Sequence, residues 1–324
     1  MKYCTFFGIF LCLLLPQASF AMTETTFGGS IGATIKPANP GPFEQVTVAL
    51  TSYDTDLRRA TISWYLGGTK KTSGIGVSSY SFQAGEVGRV MSVRAVIETI
   101  EGGYIEKTLQ WVPGNAIVLW SADTYTPSLY RGKALASPDS TIKLVAFPSL
   151  YSNSGTKYDP AKLVYTWTMD DKKDSIQTGT GNSSATYTLS TLPGDTEFTV
   201  DIASVDNTAH VQKKVTISTY SPLVALYEER SLEGTHYASR LTDTFSMKGV
   251  ENTVRAEPFF IVNPISNAIF AWALNNQAYA TGAATRALRT GTTQSGTAQL
   301  NVLVSKPDSS VQQAKASFTV QFSR

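Results

Sequence analysis

Ser63-Trp64-Tyr65-Leu66-Gly67-Gly68 is echoed by Thr166-Trp167-Thr168-Met169-Asp170-Asp171 and again by Ala271-Trp272-Ala273-Leu274-Asn275-Asn276. The three tryptophans stand 103 and 105 residues apart. That interval is the length of one small β-sandwich and far exceeds a solenoid repeat. Each tryptophan is followed by two residues that tolerate positive φ, which is what the centre of a two-residue hairpin demands. The chain therefore reads as three copies of one all-β unit, with each tryptophan packed in a core and each Gly-Gly, Asp-Asp or Asn-Asn pair reversing the chain.

Period-two alternation supports the same reading outward from each tryptophan. Val46, Val48 and Leu50 precede the first, Ile142 and Leu144 the second, and Val254 and Ala256 the third. In the second copy Tyr151-Ser152-Asn153-Ser154-Gly155 reads as a loop insertion. Gly74, Gly179 and Gly282 are expected to close the returning strands. A long alternating strand follows in each copy, through Met91, Val93 and Ala95, through Phe198, Val200 and Ile202, and through Ala298, Leu300 and Val302. Its partner comes after Glu101-Gly102-Gly103, Asp206-Asn207 or Lys306-Pro307-Asp308, so every copy ends in a hairpin. The last strands run through Ile105, Leu109 and Trp111, through Val211, Val215 and Ile217, and through Ala316, Phe318, Val320 and Phe322. No stretch shows capped helical periodicity. The expected units are 22–115, 116–219 and 220–324. Leu119-Trp120 precedes Tyr130 as Leu226-Tyr227 precedes Tyr237, which predicts packed joints and a semi-rigid rod on the order of 100 Å long.

This organisation resembles the immunoglobulin-like and PKD-like β-sandwich modules strung along secreted and surface proteins of bacteria. The Trp-x-(Leu/Met)-turn element is similar to the core tryptophan and hairpin of those modules, and Pro193-Gly194 before Phe198 to the turn into their penultimate strand. The Trp-x-Phe-Gly-Asp motif of the PKD family and the cysteine pair of antibody-type domains are both absent. The resemblance implies three tandem sandwiches and leaves the ligand open.

Residues 1–21 read as a secretory signal peptide: Met1-Lys2, an apolar run from Phe6 to Leu15, Pro16, and Ser19-Phe20-Ala21 with cleavage after Ala21. An uncleaved signal anchor is the alternative, although the run is short for a span of about 20 residues. Cys4 and Cys12 both lie in this segment, so the mature chain carries no thiol and forms no disulfide. Leu11 before Cys12 argues against a lipidated cysteine. The terminal Phe318–Arg324 reads as a last strand with no sorting signal behind it. Without Lys2 the chain has 26 basic and 25 acidic residues, and with no basic stripe nucleic acid is not an expected partner.

Candidate chemistry is sparse. His210 and His236 stand apart and beside no evident nucleophile, and Asp206 and Asn207 near His210 read as turn residues. Zinc lacks ligands. Asp54-Thr55-Asp56, Asp170-Asp171 and Glu228-Glu229 offer hard oxygen ligands for calcium, the last at a joint, yet lack a dense ligand loop and read as solvated turns. No pair of carboxylates is marked out for glycoside cleavage. Gly28-Gly29-Ser30-Ile31-Gly32 precedes no helix and reads as a lead-in, and Asn182-Ser183-Ser184 matches the minimal glycosylation sequon. Tyr125, Tyr130, Tyr151 and Tyr158 form either a sugar-stacking face or the packing of the first joint and the insertion loop, and the symmetry of the joints favours packing. No catalytic, cofactor-binding or metal residue is nominated, and no cofactor. The expected function is a non-catalytic scaffold or spacer, extracellular or in the cell envelope, contacting a surface protein or glycan. An adhesin or carbohydrate-binding surface protein, with or without a pilus beside it, is the alternative.

Overall fold

The computed structural model describes residues 31–291 and 295–323. The signal segment, Gly28-Gly29-Ser30 and Arg324 lie outside the described residues, while Gly32 is part of a strand. Among the described residues there is no α-helix; apart from two single 3-10 turns the regular structure is β.

The first seven strands are β1 (Ile31–Lys36), β2 (Gln45–Ser52), β3 (Thr61–Leu66), β4 (Thr69–Ile75), β5 (Ser79–Gln83), β6 (Met91–Glu98) and β7 (Tyr104–Trp111). They form one sheet in the order β1-β2-β5 and another in the order β4-β3-β6-β7. This is an immunoglobulin-like sandwich in which the fourth strand pairs with the sheet of the third, sixth and seventh strands instead of with that of the first, second and fifth. Val46, Val48, Leu50, Ile62, Trp64, Val93, Ala95, Ile97 and Leu109 fill one buried cluster between them.

The next seven repeat the pattern. They are β8 (Asn115–Ala122), β9 (Thr141–Ser149), β10 (Val164–Met169), β11 (Lys172–Thr180), β12 (Ser184–Thr188), β13 (Asp195–Ala203) and β14 (His210–Ser218). Their sheets run β12-β9-β8 and β11-β10-β13-β14.

The remaining nine add to it: β15 (Leu223–Arg230), β16 (Gly234–Arg240), β17 (Thr244–Ser246), β18 (Glu251–Phe259), β19 (Ile269–Leu274), β20 (Gln277–Thr281), β21 (Thr285–Arg289), β22 (Gly296–Lys306) and β23 (Ser309–Phe322). Here the orders are β16-β15-β18-β21 and β17-β23-β22-β19-β20. Two strands exceed the repeat: β16 returns against β15 as a hairpin, and the short β17 pairs with β23 in parallel. Alternation could not reveal them, because β16 buries no residue and β17 has only three.

The three tryptophans are equivalent. Trp64, Trp167 and Trp272 are 1%, 0% and 2% exposed. Each indole N–H donates to a backbone carbonyl beyond the following hairpin, at Val77 (2.8 Å), Asn182 (2.9 Å) and Ala283 (2.9 Å). A buried indole needs such an acceptor, because an unpaired N–H would forfeit its hydration. The expected turn pairs have positive φ at both positions, with 57° and 82° at Gly67 and Gly68, 46° and 61° at Asp170 and Asp171, and 50° and 65° at Asn275 and Asn276. That is the geometry of a primed hairpin turn, whose twist matches the strands it joins.

Two of the expected closing glycines are displaced. Gly74 and Gly179 lie inside β4 and β11, and the positive-φ glycines that end the returning strands are Gly76 (73°), Gly181 (76°) and Gly282 (103°). Each of these three donates its N–H to a carbonyl shortly before the tryptophan, at Ala60, Leu163 and Phe270. Gly74 and Gly179 are small for a different reason. A Cβ there would come within 2.9 Å of the Val77 and Asn182 side chains, which bend back over them.

The chain forms two compact units. Of the described residues, one unit comprises those up to Gly114 with Tyr151–Lys157 and Ser204–Ala209; the other comprises Asn115–Leu150, Tyr158–Ala203 and the described residues from His210 onward.

Candidate functional site: the joint inside the second unit

Between β8 and β9 the chain does not turn directly but runs out through Asp123–Ser140. This excursion is stitched to the residues that follow β18. Thr124 and Val262 form an antiparallel bridge. Around it Tyr125 N–H donates to Ile261 O (2.7 Å), Phe260 N–H to Tyr125 O (2.7 Å) and Asn263 N–H to Asp123 O (3.3 Å). Phe260 holds φ at 63°, a region that a bulky side chain occupies only when its surroundings over-determine it. Here the bridge fixes its backbone, and its ring enters an apolar cluster.

That cluster contains Ala225, Tyr227, Phe259 and Phe260, with Leu129, Tyr130, Leu135 and Tyr237 packed against it. Tyr130 meets Phe259 and Phe260 edge-on, with both centroid distances 5.8 Å. Tyr227 and Tyr237 meet at 5.2 Å. Such edge-to-face contacts set the positive rim of one ring against the negative face of another. Gly132 is required beside Tyr130, since a Cβ there would lie 2.4 Å from the ring.

Polar groups lock the two flanks. Gln312, on β23 and 1% exposed, accepts the Val262 N–H (2.8 Å) through Oε1 and donates Nε2–H to Ser137 Oγ (2.9 Å) and to Pro138 O. Ser309 donates its hydroxyl to Asp139 Oδ2 at 2.9 Å. Glu257, 2% exposed, accepts from the Tyr237 hydroxyl (2.8 Å) and from Arg255 Nε. A buried carboxylate is tolerated only when paired and hydrogen-bonded in this way. Burial, and then the Glu257 charge, raises the pKa of Tyr125 and Tyr227; burial, and then the bond to Glu257, raises that of Tyr237. The bond to Glu257 raises Arg255. The hydroxyls thus remain protonated across the neutral range, and that of Tyr237 donates to Glu257. These contacts and bonds tie the excursion after β8 to β15, β16, β18 and β23.

This alters the expected pairing of aromatics. Tyr130 belongs with Tyr227 and Tyr237 and not with Leu119 and Trp120. Leu119 is 59% exposed, and Trp120 carries the Lys133 ammonium 3.0 Å above its ring. Leu226 points the other way, into the core between the last two sheets. Tyr125 and Tyr130 are therefore joint residues of the second unit. In the first unit, Tyr151 lies against Gly88, where a Cβ would stand 2.8 Å from its ring. Tyr158 donates its backbone N–H to Leu150 O.

The acidic pairs are engaged locally. Asp56 pairs with Arg58 (3.0 Å), and Asp170 accepts the Glu197 N–H (2.9 Å) beside its turn. Glu228 and Glu229 stand in β15 rather than in a turn. Glu228 pairs with Arg230 (3.2 Å) and Lys248 (3.5 Å), and Glu229 accepts the Thr235 hydroxyl. Among the described residues no three His, Cys, Asp or Glu are grouped to hold a metal ion. His210 Nε2 meets Asp201 Oδ1 across the β13–β14 hairpin, and Gln212 donates to Asp201 Oδ2 (3.2 Å). Asp206 caps its own turn by accepting from Thr208, and Asn207 takes φ of 60° there, as turn residues do. His236 lies on β16. Asn182 is exposed, as a sequon must be, with its side-chain amide donating to Gln177 O. Among the described residues no helix is long and apolar enough to cross a membrane.

No protein-family model matches the chain, and no curated protein matches it. Solved structures do. The fibronectin(III)-like modules of Clostridium thermocellum CbhA match at 17% identity and TM-score 0.28, covering 58% of this chain and 94% of theirs. The central fibronectin-III array of RIM-binding protein matches at 12% and 0.30, covering 90% and 96%. The Bacteroides ovatus mixed-linkage glucan utilization protein SGBP-B, in complex with a mixed-linkage heptasaccharide, matches at 13% and 0.21, covering 90% and 70%. The immunoglobulin-like assignment follows from strand order, which these low scores neither strengthen nor weaken.

Proposed function

We propose that the chain is a non-catalytic scaffold or spacer, exported to the cell surface or envelope of a bacterium. In this reading a signal peptide (1–21) precedes three immunoglobulin-like domains, 22–115, 116–219 and 220–324, that hold surfaces at set separations for partner proteins. The observation that carries it is the joint of the second unit. Backbone bridging at Thr124–Val262, ring packing around Tyr130 and the buried Gln312 bonds together resist bending as a Gly/Ser tether would not. The signal-peptide pattern and the confinement of cysteine to residues 4 and 12 support export.

The joint is testable by distance measurement. Ile176→Cys and Leu232→Cys place spin labels on exposed positions of the second unit, 86% and 101% accessible. A single narrow distance distribution is expected. A broad distribution, unchanged when Tyr130 is replaced by Ser, would defeat the spacer reading.

A second reading, an adhesin or glycan-binding surface protein, is favoured by Tyr53. Its side chain is fully exposed beside an open depression of the first unit.

A further inference from the structure

The loop from β2 to β3 carries more order than a mere connection needs. Ser52 Oγ accepts the N–H groups of Asp54 (3.3 Å) and Thr55 (3.0 Å). Asp56 accepts both the backbone N–H (3.1 Å) and the guanidinium Nε–H (3.0 Å) of Arg58, while Asp56 O accepts the Arg59 N–H (3.1 Å). Leu57 and Ala60 are buried and anchor the far end in the core. Out of this pinned frame Tyr53 projects at 101% exposure, although a tyrosine packed on its own domain would gain from burial.

Tyr53, the rest of the loop and Ser78 border a depression of about 770 Å³ that is largely open to solvent. It is lined by the hydroxyl-bearing Thr51, Ser52, Thr55 and Ser78, by the charged Asp54, Asp56 and Arg58, and by Leu50 and Leu57. Hydroxyl-rich walls suit a ligand that donates and accepts many hydrogen bonds. The charges are of both signs, and Asp56 is spent on Arg58, so the depression offers little to a strongly anionic or cationic ligand. A solvent-facing aromatic ring adds a flat apolar platform, suited to the C–H face of a sugar ring.

We propose that this site binds a neutral oligosaccharide, with Tyr53 stacked against one pyranose ring and the hydroxyl-lined depression holding the next. The proposal rests on the second functional reading and gives it an address in the first unit, away from the tyrosines of the joint. Rigid presentation matters, because a loop already ordered loses little entropy when the sugar arrives.

The experiment is a microarray of neutral cello-, xylo-, manno- and chito-oligosaccharides with sialylated and sulfated glycans beside them, probed with the full chain and followed by calorimetry on the best neutral hit. Wild type is expected to bind neutral oligosaccharides with little dependence on salt. Tyr53→Ala is expected to weaken binding about tenfold or more, Tyr53→Phe to retain it, and neither to change the melting temperature. If wild type binds neutral glycans and Tyr53→Ala binds equally well, the site is wrong while the glycan-binding reading stands. If wild type binds no glycan, both fall. Binding confined to sialylated or sulfated glycans and abolished by salt overturns the neutral-ligand assignment.

Discussion

Replacing Gln312 by Ala isolates the polar lock of the joint from its aromatic packing. The wild-type amide makes three bonds at once, accepting the Val262 N–H and donating to Ser137 Oγ and Pro138 O, all from a side chain 1% exposed. Truncation leaves the Val262 N–H and the Pro138 carbonyl without their partner, whereas the Ser137 hydroxyl can rotate to another acceptor. Each buried orphan costs about 1–3 kcal/mol, so the two together cost about 2–6 kcal/mol, and partial rescue by a hydrogen-bonding water in the vacated volume brings the expected loss to about 3 kcal/mol. Hydrogen exchange reads the loss where it occurs. The Tyr125 and Phe260 amides, each bonded at 2.7 Å across the joint, should exchange roughly a hundredfold faster. The core amides of β10 and β19 should keep their rates, because neither strand touches Gln312 through a hydrogen bond. Exchange at Tyr125 and Phe260 within about twofold of wild type would refute the argument that Gln312 holds the joint closed.

Tyr187 supplies a pH-dependent counterpart. Its hydroxyl is buried with no hydrogen-bond partner among the described residues, and burial pushes its pKa up to about 12 from the ordinary 10.0. A folded-state pKa above the unfolded one means that the protonated hydroxyl's contribution is intact below pH 10 and is lost as pH rises from 10 through about 12. The loss is roughly 3 kcal/mol. Tyr187→Phe should remove that alkaline loss and raise neutral-pH stability by about 1 kcal/mol, and parallel alkaline denaturation curves for the two proteins would contradict it. Trp64→Ala, Trp167→Ala and Trp272→Ala should each cost about 3–5 kcal/mol and melt one sandwich before the others. Calorimetry showing unchanged melting for any one of them would remove that tryptophan from the core.

The sequence by itself carried the repeated unit, because the signals involved are local. A buried strand must alternate with period two, and a two-residue hairpin must place tolerant residues at its centre, so Val46-x-Val48-x-Leu50 and the pairs Gly67-Gly68, Asp170-Asp171 and Asn275-Asn276 declare themselves within a few positions. Gly76 and Gly181 were missed in favour of Gly74 and Gly179 because composition does not distinguish a glycine needed for positive φ from one needed for a close approach. The extra strands β16 and β17 escaped because β16 fully buries no residue and β17 is only three residues long. The joint was decided by tertiary structure alone. Aromatic spacing paired Tyr130 with Leu119 and Trp120, yet its ring sits against Phe259 and Phe260, and Gln312 bonds to Ser137 across 175 positions of sequence. Exposed Tyr53 was likewise invisible, since a tyrosine reads alike in sequence whether it faces core, joint or solvent. Contacts between residues so far apart depend on where whole sheets come to rest, and nothing in the residues nearby has to change for them to form or fail.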